Sequence, residues 1–358
     1  MLTAASLASL PEYLTYDDVL LLPNYSDVTP TQTDVSTVLT EHISLDLPIV
    51  ASPMDTVCEA PMAISLAKLG GYGILHRNFS IDGQVAELKT VLKETDKVGV
   101  AVGVGSDFQE RVEALVKAGA KEICIDSAHG HSKNVLEAVK HIKKKYPKVE
   151  VIAGNTATYD GALALFEAGA DAIKVGMGPG SICTTRVMSG MGVPQLSAVV
   201  ESVRAAKKTG GKIIADGGIK TSGDIVKALA AGADTVMLGS LLAGTDEAPG
   251  QMIEIDGTLY KSYRGMGSVA AMKEGSATRY GQNWKKGQTK QLVPEGVEGL
   301  VPHRGDLSEH IFQLVGGLKA GMGYLGAKNL TELRKKAQFI KISRTAFVES
   351  QPHSITQR

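Results

Sequence analysis

The chain has 358 residues, of which 38 are basic and 38 acidic, so its formal net charge at pH 7 is zero. This balance gives no reason to expect nucleic acid or a membrane surface as the main partner, and the sequence contains no apolar run long enough for a membrane-spanning helix. The three cysteines, Cys58, Cys124 and Cys183, are too few and too far apart for a disulfide framework and favour a reducing cytoplasm. The N-terminal region, about residues 1–30, is expected to be an arm, because Met1–Pro11 lacks the basic region of a signal peptide.

Eight short runs along the chain are predicted strands, and most are continuous apolar segments rich in Val and Ile. Such runs are typical of parallel strands buried on both faces. The second run is the weakest of them. The predicted strands are Pro48–Ala51, Gly73–Leu75, Gly99–Val102, Glu122–Ile125, Glu150–Ala153, Ala172–Val175, Lys212–Ala215 and Thr235–Leu238.

Helical patterns separate these strands, for example Asn134–Tyr146 and Gln195–Thr209. Several of the helices are expected to stop at a glycine, as at Gly119, Gly169 and Gly232. An eightfold strand–helix repeat favours a closed (β/α)8 barrel over a doubly wound sheet, which usually has fewer strands. We therefore predict the α/β fold class and a single catalytic barrel domain spanning the chain.

A long interruption, about residues 243–306, follows the eighth strand. It opens with a predicted hairpin, Ile253–Tyr260, whose turn is an Asp-Gly pair. The segment Lys273–Pro294 is polar and poorly periodic, and we interpret it as a mobile flap. The last barrel helix is predicted to start near Leu307, and the tail, about 339–358, to be strand-like and then irregular.

The C-terminal ends of barrel strands surround a single site, so the residues that follow each predicted strand indicate its chemistry. The sixth strand leads into a glycine-rich loop that carries Cys183. Loops after strands seven and eight often hold a phosphate on backbone N–H groups, and here they contain Gly217-Gly218 and Gly239-Ser240. Asp216 beside them could accept hydrogen bonds from a ribose, or could merely cap the next helix. Thiol, ribose and phosphate groups together suggest a nucleoside monophosphate attacked at its base, whereas the absence of a Walker-type loop argues against triphosphate chemistry.

Four ordered motifs resemble those of the inosine-5′-monophosphate (IMP) dehydrogenase family: Gly178–Arg186, Asp216–Ile219, Tyr263–Ser268 and Leu292–Gly299. The similarity runs from Thr15–Pro23 to the C-terminal tail. The resemblance implies that a cysteine attacks C2 of the hypoxanthine ring, that hydride passes to NAD, and that water hydrolyses the covalent adduct to xanthosine 5′-monophosphate (XMP), in guanine nucleotide biosynthesis. It also implies a cytoplasmic homotetramer that uses a potassium ion.

The resemblance assigns roles to particular residues. The catalytic residues would be Cys183, Thr185, Arg279 and Tyr280. IMP would contact Ser52, Met54, Ser181, Asp216, Gly217, Gly218, Gly239, Ser240, Tyr263, Gly265, Met266, Gly267 and Glu295. NAD would contact Asp126, Ser127, Ala128, Asn155, Gly176, Gly178 and, from a neighbouring subunit, Tyr324. Potassium would be held by Gly178, Gly180 and Cys183, and by a neighbour's Glu349, Ser350 and Gln351.

One departure from the family pattern is large. The family usually carries a pair of CBS-type regulatory modules after the second strand, but here Ser80–Lys93 reads as one helix that runs almost directly into the third strand. Allosteric control through such modules is therefore not expected.

Two other functions are compatible with parts of this pattern. Guanosine monophosphate (GMP) reductase, which uses NADPH to deaminate GMP to IMP, resembles this family and typically lacks the modules. The pair Arg279-Tyr280 favours the dehydrogenase, because a reductase has no water step. A non-catalytic nucleotide sensor is permitted by the fold alone, but the thiol, the ribose acid and the flap pair argue against it.

Several of these residues also have ordinary structural interpretations. Cys58 and Cys124 are expected to be core residues. His129 and His131 lack the further ligands of a metal site, and we expect them to order their loop. Arg279 could act as a base only in surroundings that depress its pKa, since a free guanidinium stays protonated.

Overall fold

Eight parallel strands form a closed barrel in the structure, a computed structural model that describes residues 6, 9–282, 284 and 292–352. Consecutive strands pair with one another, and the eighth closes on the first through the pair Val236 and Ile49. The predicted (β/α)8 barrel is therefore confirmed. The strands are β1 (Ile49–Ala51), β2 (Tyr72–Leu75), β3 (Val98–Val102), β4 (Glu122–Asp126), β5 (Glu150–Thr156), β6 (Ala172–Val175), β7 (Lys212–Asp216) and β8 (Thr235–Leu238).

One helix of the outer layer follows each barrel strand. These helices are α1 (Ala60–Lys68), α2 (Ile81–Leu92), α3 (Phe108–Lys117), α4 (Lys133–Lys145), α5 (Tyr159–Glu167), α6 (Gln195–Thr209), α7 (Ser222–Ala230) and α8 (Leu307–Tyr324). The predicted glycine stops are confirmed, since Gly119, Gly169 and Gly232 have φ angles of 109°, 107° and 110°. A side chain rarely adopts such angles, so glycine ends these helices at little conformational cost.

The core has two layers, one inside the barrel and one between the strands and the helices. Side chains that alternate along each strand fill one layer or the other, which explains the continuous apolar runs. Leu39 and Leu45, from a short N-terminal hairpin, join the inner layer. Cys58 and Cys124 are fully buried, as predicted for core residues.

The chain between β2 and β3 forms a single helix, α2, and no further domain. Ser80 caps this helix by accepting a hydrogen bond from the N–H of Gly83 at 3.0 Å. The direct passage into β3 agrees with the expected absence of inserted regulatory modules at this point. Among the helices of the described residues, none has the length and apolar character needed to cross a membrane.

The interruption after β8 contains the predicted hairpin, in which Met252–Ile255 pairs with Thr258–Arg264. Its turn residues Asp256 and Gly257 both have positive φ, 49° and 76°, as a two-residue hairpin turn requires. A third strand, Glu298–Pro302, pairs with the second.

The flap, Lys273–Pro294 as named from the sequence, starts at the end of the short helix Val269–Glu274 and continues as a 3₁₀ helix, Ser276–Tyr280. Residues 283 and 285–291 of the flap lie outside the described part of the chain.

The C-terminal tail agrees with the prediction only in part. Phe339–Lys341 is a strand that pairs antiparallel with Val19–Leu21 of the N-terminal arm. The next segment, predicted to be irregular, instead forms the helix Arg344–Glu349. Its N-cap is Ser343, whose hydroxyl accepts a hydrogen bond from the N–H of Ala346. This capping residue was the overlooked signal.

Candidate active site

A cavity opens at the C-terminal ends of the barrel strands, where the sequence predicted the site. All four predicted catalytic residues and all thirteen predicted IMP contacts line it. Five residues predicted for NAD also line it, namely Asp126, Ala128, Asn155, Gly176 and Gly178. Residues that are distant in sequence are therefore gathered in one place.

The candidate nucleophile, Cys183, is half-buried in the loop between β6 and α6. Its Sγ lies 3.2 Å from Oγ1 of Thr185. The loop is held by the segment that follows the flap, because the N–H of Thr184 donates to the carbonyl of Glu295 and the N–H of Val297 donates to the carbonyl of Ile182, both at 3.0 Å. This double tie fixes the position of the thiol while leaving it accessible from the cavity.

A buried lysine connects two carboxylates of the site. The ammonium Nζ of Lys174 lies 2.6 Å from Oδ1 of Asp126, and both side chains are 1% exposed. The same Nζ is 3.9 Å from Oδ2 of Asp216, which also accepts a hydrogen bond of 2.7 Å from Nδ2 of Asn155. The buried ammonium group of Lys174 lowers the free-energy cost of burying the carboxylates of Asp126 and Asp216.

Lys174 is a functional candidate that the sequence analysis missed. Its signal was a single charged residue in the otherwise apolar strand β6. A charge that points into a barrel must meet an opposite charge or a ligand. The direction of the side chain, however, could not be read from the sequence.

The local structure at the ends of β7 and β8 requires glycine. Gly217 and Gly218 have φ angles of 91° and 76°, which other residues rarely adopt. At Gly239 an added Cβ would lie only 2.7 Å from the hydroxyl oxygen of Tyr263. Burial raises the pKa of Tyr263, so its neutral hydroxyl can donate a hydrogen bond into the cavity.

The flap is docked over the cavity through Arg279 and Tyr280. The guanidinium of Arg279 pairs with the carboxylate of Asp126, and its backbone carbonyl accepts a hydrogen bond of 3.2 Å from the N–H of Ala128. Tyr280 packs so closely on Gly267 that an added Cβ there would lie 2.8 Å from the phenol hydroxyl. Burial raises the pKa of Tyr280, which keeps this phenol protonated. The flap therefore covers residues that were predicted to contact NAD.

The remaining predicted residues do not line the cavity of their own chain. Ser127 lies beside it, and its Oγ is 3.3 Å from the N–H of His129, which orders the loop after β4. Tyr324 is 72% exposed at the end of α8. Glu349, Ser350 and Gln351 lie in the C-terminal tail. Roles for Tyr324 and the tail residues in a neighbouring subunit stay predictions.

Metal binding by side chains finds no support in the part of the chain that the structure describes. No group of three or more His, Cys, Asp or Glu side chains there could hold an ion. His129 and His131 lie with their ring centroids 6.4 Å apart. The potassium prediction rests mainly on backbone carbonyls and is not tested by this observation.

Comparison with known proteins gives consistent matches over nearly the whole chain. A family model described as "IMP dehydrogenase / GMP reductase domain" matches residues 13–353. The inosine-5′-monophosphate dehydrogenase of Borreliella burgdorferi is 45% identical in an alignment of 394 positions, covering 96% of this chain and 97% of that protein. The relative of the same name from Cryptosporidium parvum is 44% identical over 385 positions, covering 96% and 95%. That from Aquifex aeolicus is 41% identical over 475 positions, covering 97% and 96%.

These relatives differ in length while sharing one name. The Aquifex alignment spans 475 positions, far more than the 358 residues of this chain, so that relative has residues without a counterpart here. The Borreliella and Cryptosporidium proteins match nearly the same share of the chain over much shorter alignments. The small size of this chain therefore does not by itself favour GMP reductase over IMP dehydrogenase.

Proposed function

The chain belongs to the IMP dehydrogenase / GMP reductase family, and we propose that it oxidises IMP to XMP with NAD in guanine nucleotide biosynthesis. One observation carries this proposal: Cys183 and the flap pair Arg279-Tyr280 line the same cavity. A nucleophile and a group that can activate water are the two requirements of an oxidation followed by hydrolysis. A reductase would need only the first.

The first half of the reaction uses the cysteine loop. The thiolate of Cys183 adds to C2 of the hypoxanthine ring, and the C2 hydrogen leaves as hydride with its two electrons. Thr185, 3.2 Å from the sulfur, orients it towards the ring. Glu295, anchored by its N–H to the carbonyl of Gly267 at 3.0 Å, would meet the N1–H edge of the base.

Binding of the nucleotide is assigned to the ends of β7 and β8. Asp216 would accept hydrogen bonds from the ribose, with its orientation fixed by Asn155 and Lys174. The N–H groups after Gly217 and Gly239, with the Tyr263 hydroxyl, would hold the phosphate. Fixed groups of this kind position the base against the thiol and reduce the entropy lost in the reaction.

The second half is hydrolysis of the adduct. Water adds to C2 and the Cys183 thiolate leaves, which gives XMP and the free enzyme. The water must lose a proton, and Arg279 would accept it only as a neutral guanidine, whereas the charged form that pairs with Asp126 would hold the water in line together with Tyr280. The carboxylate of Asp126, which is itself paired with the ammonium of Lys174, holds Arg279 in position from below.

The residues of the cavity fit the dinucleotide. Bound NAD supplies the acceptor for the hydride. Within the described residues, Oδ1 of Asn155 is buried and has no hydrogen-bond partner, as expected for an acceptor that awaits a ligand. Asp126 and Ala128 are occupied by the docked flap, so the flap would have to leave for the cofactor to bind and to return once NADH has gone.

The cysteine loop also fits a monovalent cation. The carbonyls of Gly178, Gly180 and Cys183 are hard oxygen donors on one turn, and Gly180 keeps a free lone pair although its carbonyl accepts the N–H of Cys183 at 3.1 Å. Potassium there would order the loop that carries the nucleophile. The remaining ligands, Glu349–Gln351, and the adenine contact of Tyr324 would come from a neighbour, and we propose a homotetramer on that basis. The free cysteines support the proposal of a cytoplasmic location.

A turnover assay tests the proposal. The protein is incubated with IMP, NAD and potassium, and NADH is followed by near-ultraviolet absorbance, while GMP with NADPH is run in parallel. NADH and XMP as products are the expected result. Consumption of NADPH with release of ammonia would identify a reductase, and nucleotide binding without either reaction would identify a sensor.

A further inference from the structure

Arg77, which follows β2, lies beneath the docked flap and is only 8% exposed. Its NH1 donates a hydrogen bond of 3.0 Å to the hydroxyl of Thr278 in the flap. Among the described residues, its Nε and NH2 have no hydrogen-bond acceptor. The Thr278 hydroxyl is thus the partner that the structure gives to this buried guanidinium.

The charges around Arg77 oppose docking of the flap. The acid that attracts Arg77, Asp107, is bonded at 2.7 Å to Nε of Arg111 and forms no ion pair with Arg77 within the described residues. Burial, and after it the neighbouring guanidinium of Arg279, lowers the pKa of Arg77 to about 10, so the side chain keeps its charge at neutral pH. Docking therefore brings two cations together and must be supported by specific contacts.

The end of β3 is shaped to accept this arrangement. At Gly103 an added Cβ would lie 2.7 Å from NH1 of Arg77, so only glycine leaves the guanidinium in place. Gly105 faces the Thr278 methyl, where an added Cβ would be in ordinary contact at 3.5 Å. Together with the contacts of Arg279 to Asp126 and Ala128, three strand ends form the surface on which the flap docks.

We propose that Arg77 is a positioning residue that latches the docked flap through the hydroxyl of Thr278. It thereby sets the fraction of time during which Arg279 and Tyr280 face the covalent adduct. The role of this Arg77–Thr278 contact, the latch, in hydrolysis rests on the proposed function, whereas its role in docking the flap does not. Docking is favoured by the hydrogen bond of Arg77 to Thr278 and by the ion pair of Arg279 with Asp126. It is opposed by the repulsion between Arg77 and Arg279. The flap can therefore both dock and leave.

Docking is measurable without substrate, because Trp284 in the flap is the one tryptophan of the chain. It is half-buried. We expect Thr278→Val to lower the docking equilibrium about tenfold, the effect of losing one charge-assisted hydrogen bond, and acrylamide quenching of Trp284 to rise. Thr278→Ser keeps the hydroxyl and should behave like the unaltered protein. Thr90→Val, which removes a hydroxyl on the exposed face of α2, is the matched control.

The pairing of the two residues is tested by a double-mutant cycle. In the unaltered background Arg77→Met removes both the hydrogen bond to Thr278 and the repulsion with Arg279, whereas in Thr278→Val only the repulsion is left to lose. Arg77→Met should therefore raise the quenching of Trp284 in the unaltered background and lower it slightly in Thr278→Val. Additive effects, or unchanged quenching in Thr278→Val, would overturn the latch. Because Thr278 lies on the flap, its variants stay informative even if Arg77→Met folds poorly.

The catalytic consequence is tested by rapid mixing of IMP, NAD and enzyme. The burst of NADH should keep its rate in Thr278→Val, while steady-state turnover falls about tenfold and the Cys183 adduct accumulates, because only hydrolysis needs the docked flap. Equal losses in the burst and in turnover would overturn the positioning role. Absence of NADH from the unaltered protein would refute the proposed function, and the Trp284 experiment would still decide the latch.

Discussion

The Nζ atom of Lys174 lies 2.6 Å from the carboxylate of Asp126 and 3.9 Å from that of Asp216, so one buried cation joins the acid beneath the flap to the acid assigned to the ribose. Lys174→Met should destabilise the fold by about 3–5 kcal/mol, since it leaves buried charge unpaired. Denaturant unfolding measures this loss. The double variant Lys174→Met/Asp126→Asn should recover part of it, and full additivity would contradict the pairing.

Cys183→Ala should abolish turnover, because it removes the proposed nucleophile, while nucleotide binding is kept. Alkylation tests the accessibility of the same thiol: iodoacetamide should label Cys183 alone in the folded protein, because Cys58 and Cys124 have no exposed surface. Mass spectrometry of peptides identifies the labelled site, and IMP should protect it. Cys58→Ala is the matched control, with activity retained in the folded fraction. Turnover by Cys183→Ala would rule out covalent catalysis by this cysteine.

Arg279→Ala should leave hydride transfer intact and slow hydrolysis by about 10²- to 10⁴-fold, the usual contribution of a positioned acid–base group. Its NADH burst should persist while labelled IMP remains attached to the protein after acid precipitation. The loss of the contact with Asp126 should also favour NAD binding. An unchanged steady-state rate would show that another group activates the water.

Gly239→Ala should raise the KM for IMP at least tenfold, because the new Cβ would lie 2.7 Å from the hydroxyl oxygen of Tyr263 and steric misplacement of a binding group weakens orientation. Gly316→Ala on α8 is the control, since nothing lies within 4 Å of its added Cβ. That control should gain about 0.5–1 kcal/mol of stability from better helix propensity. Equal KM values for the two variants would mean that the phosphate of IMP binds elsewhere.

Burial of Glu122 should make the stability of the fold depend on pH. This carboxyl at the start of β4 is fully buried, and burial raises its pKa to about 8. The folded state therefore keeps a proton that the unfolded chain loses above pH 4.5, the ordinary value. Its contribution to stability is complete below that pH and falls by up to about 1.4 kcal/mol per pH unit as the pH rises to about 8.

The variant Glu122→Gln isolates this contribution. It should remove the decline between pH 4.5 and about 8 without changing turnover, since Glu122 does not line the cavity. Urea unfolding at several pH values measures the difference between the two proteins. Parallel stability curves would mean that the carboxyl is ionised in the fold.

The barrel was predictable because its strands are apolar on both faces and its helices stop at glycines. Strand β5 is three residues longer than predicted, since Gly154 and Thr156 still pair with β6 on either side of an irregularity at Asn155, although none of the three is apolar. The loop residues of the site were predictable from their order at strand ends. Lys174 and Arg77 were not, because the role of each depends on a partner from a distant segment.

The hydrogen bonds between the cysteine loop and residues 295–297 limit how far this protein can be shortened. The support for Cys183 comes from the far side of the insertion between β8 and α8, not from a neighbouring βα unit. Trimming the chain to eight idealised βα units would preserve the barrel walls and leave the sulfur on an unsupported loop. Any redesign that transplants this chemistry to another barrel must therefore carry the insertion together with the nucleophile.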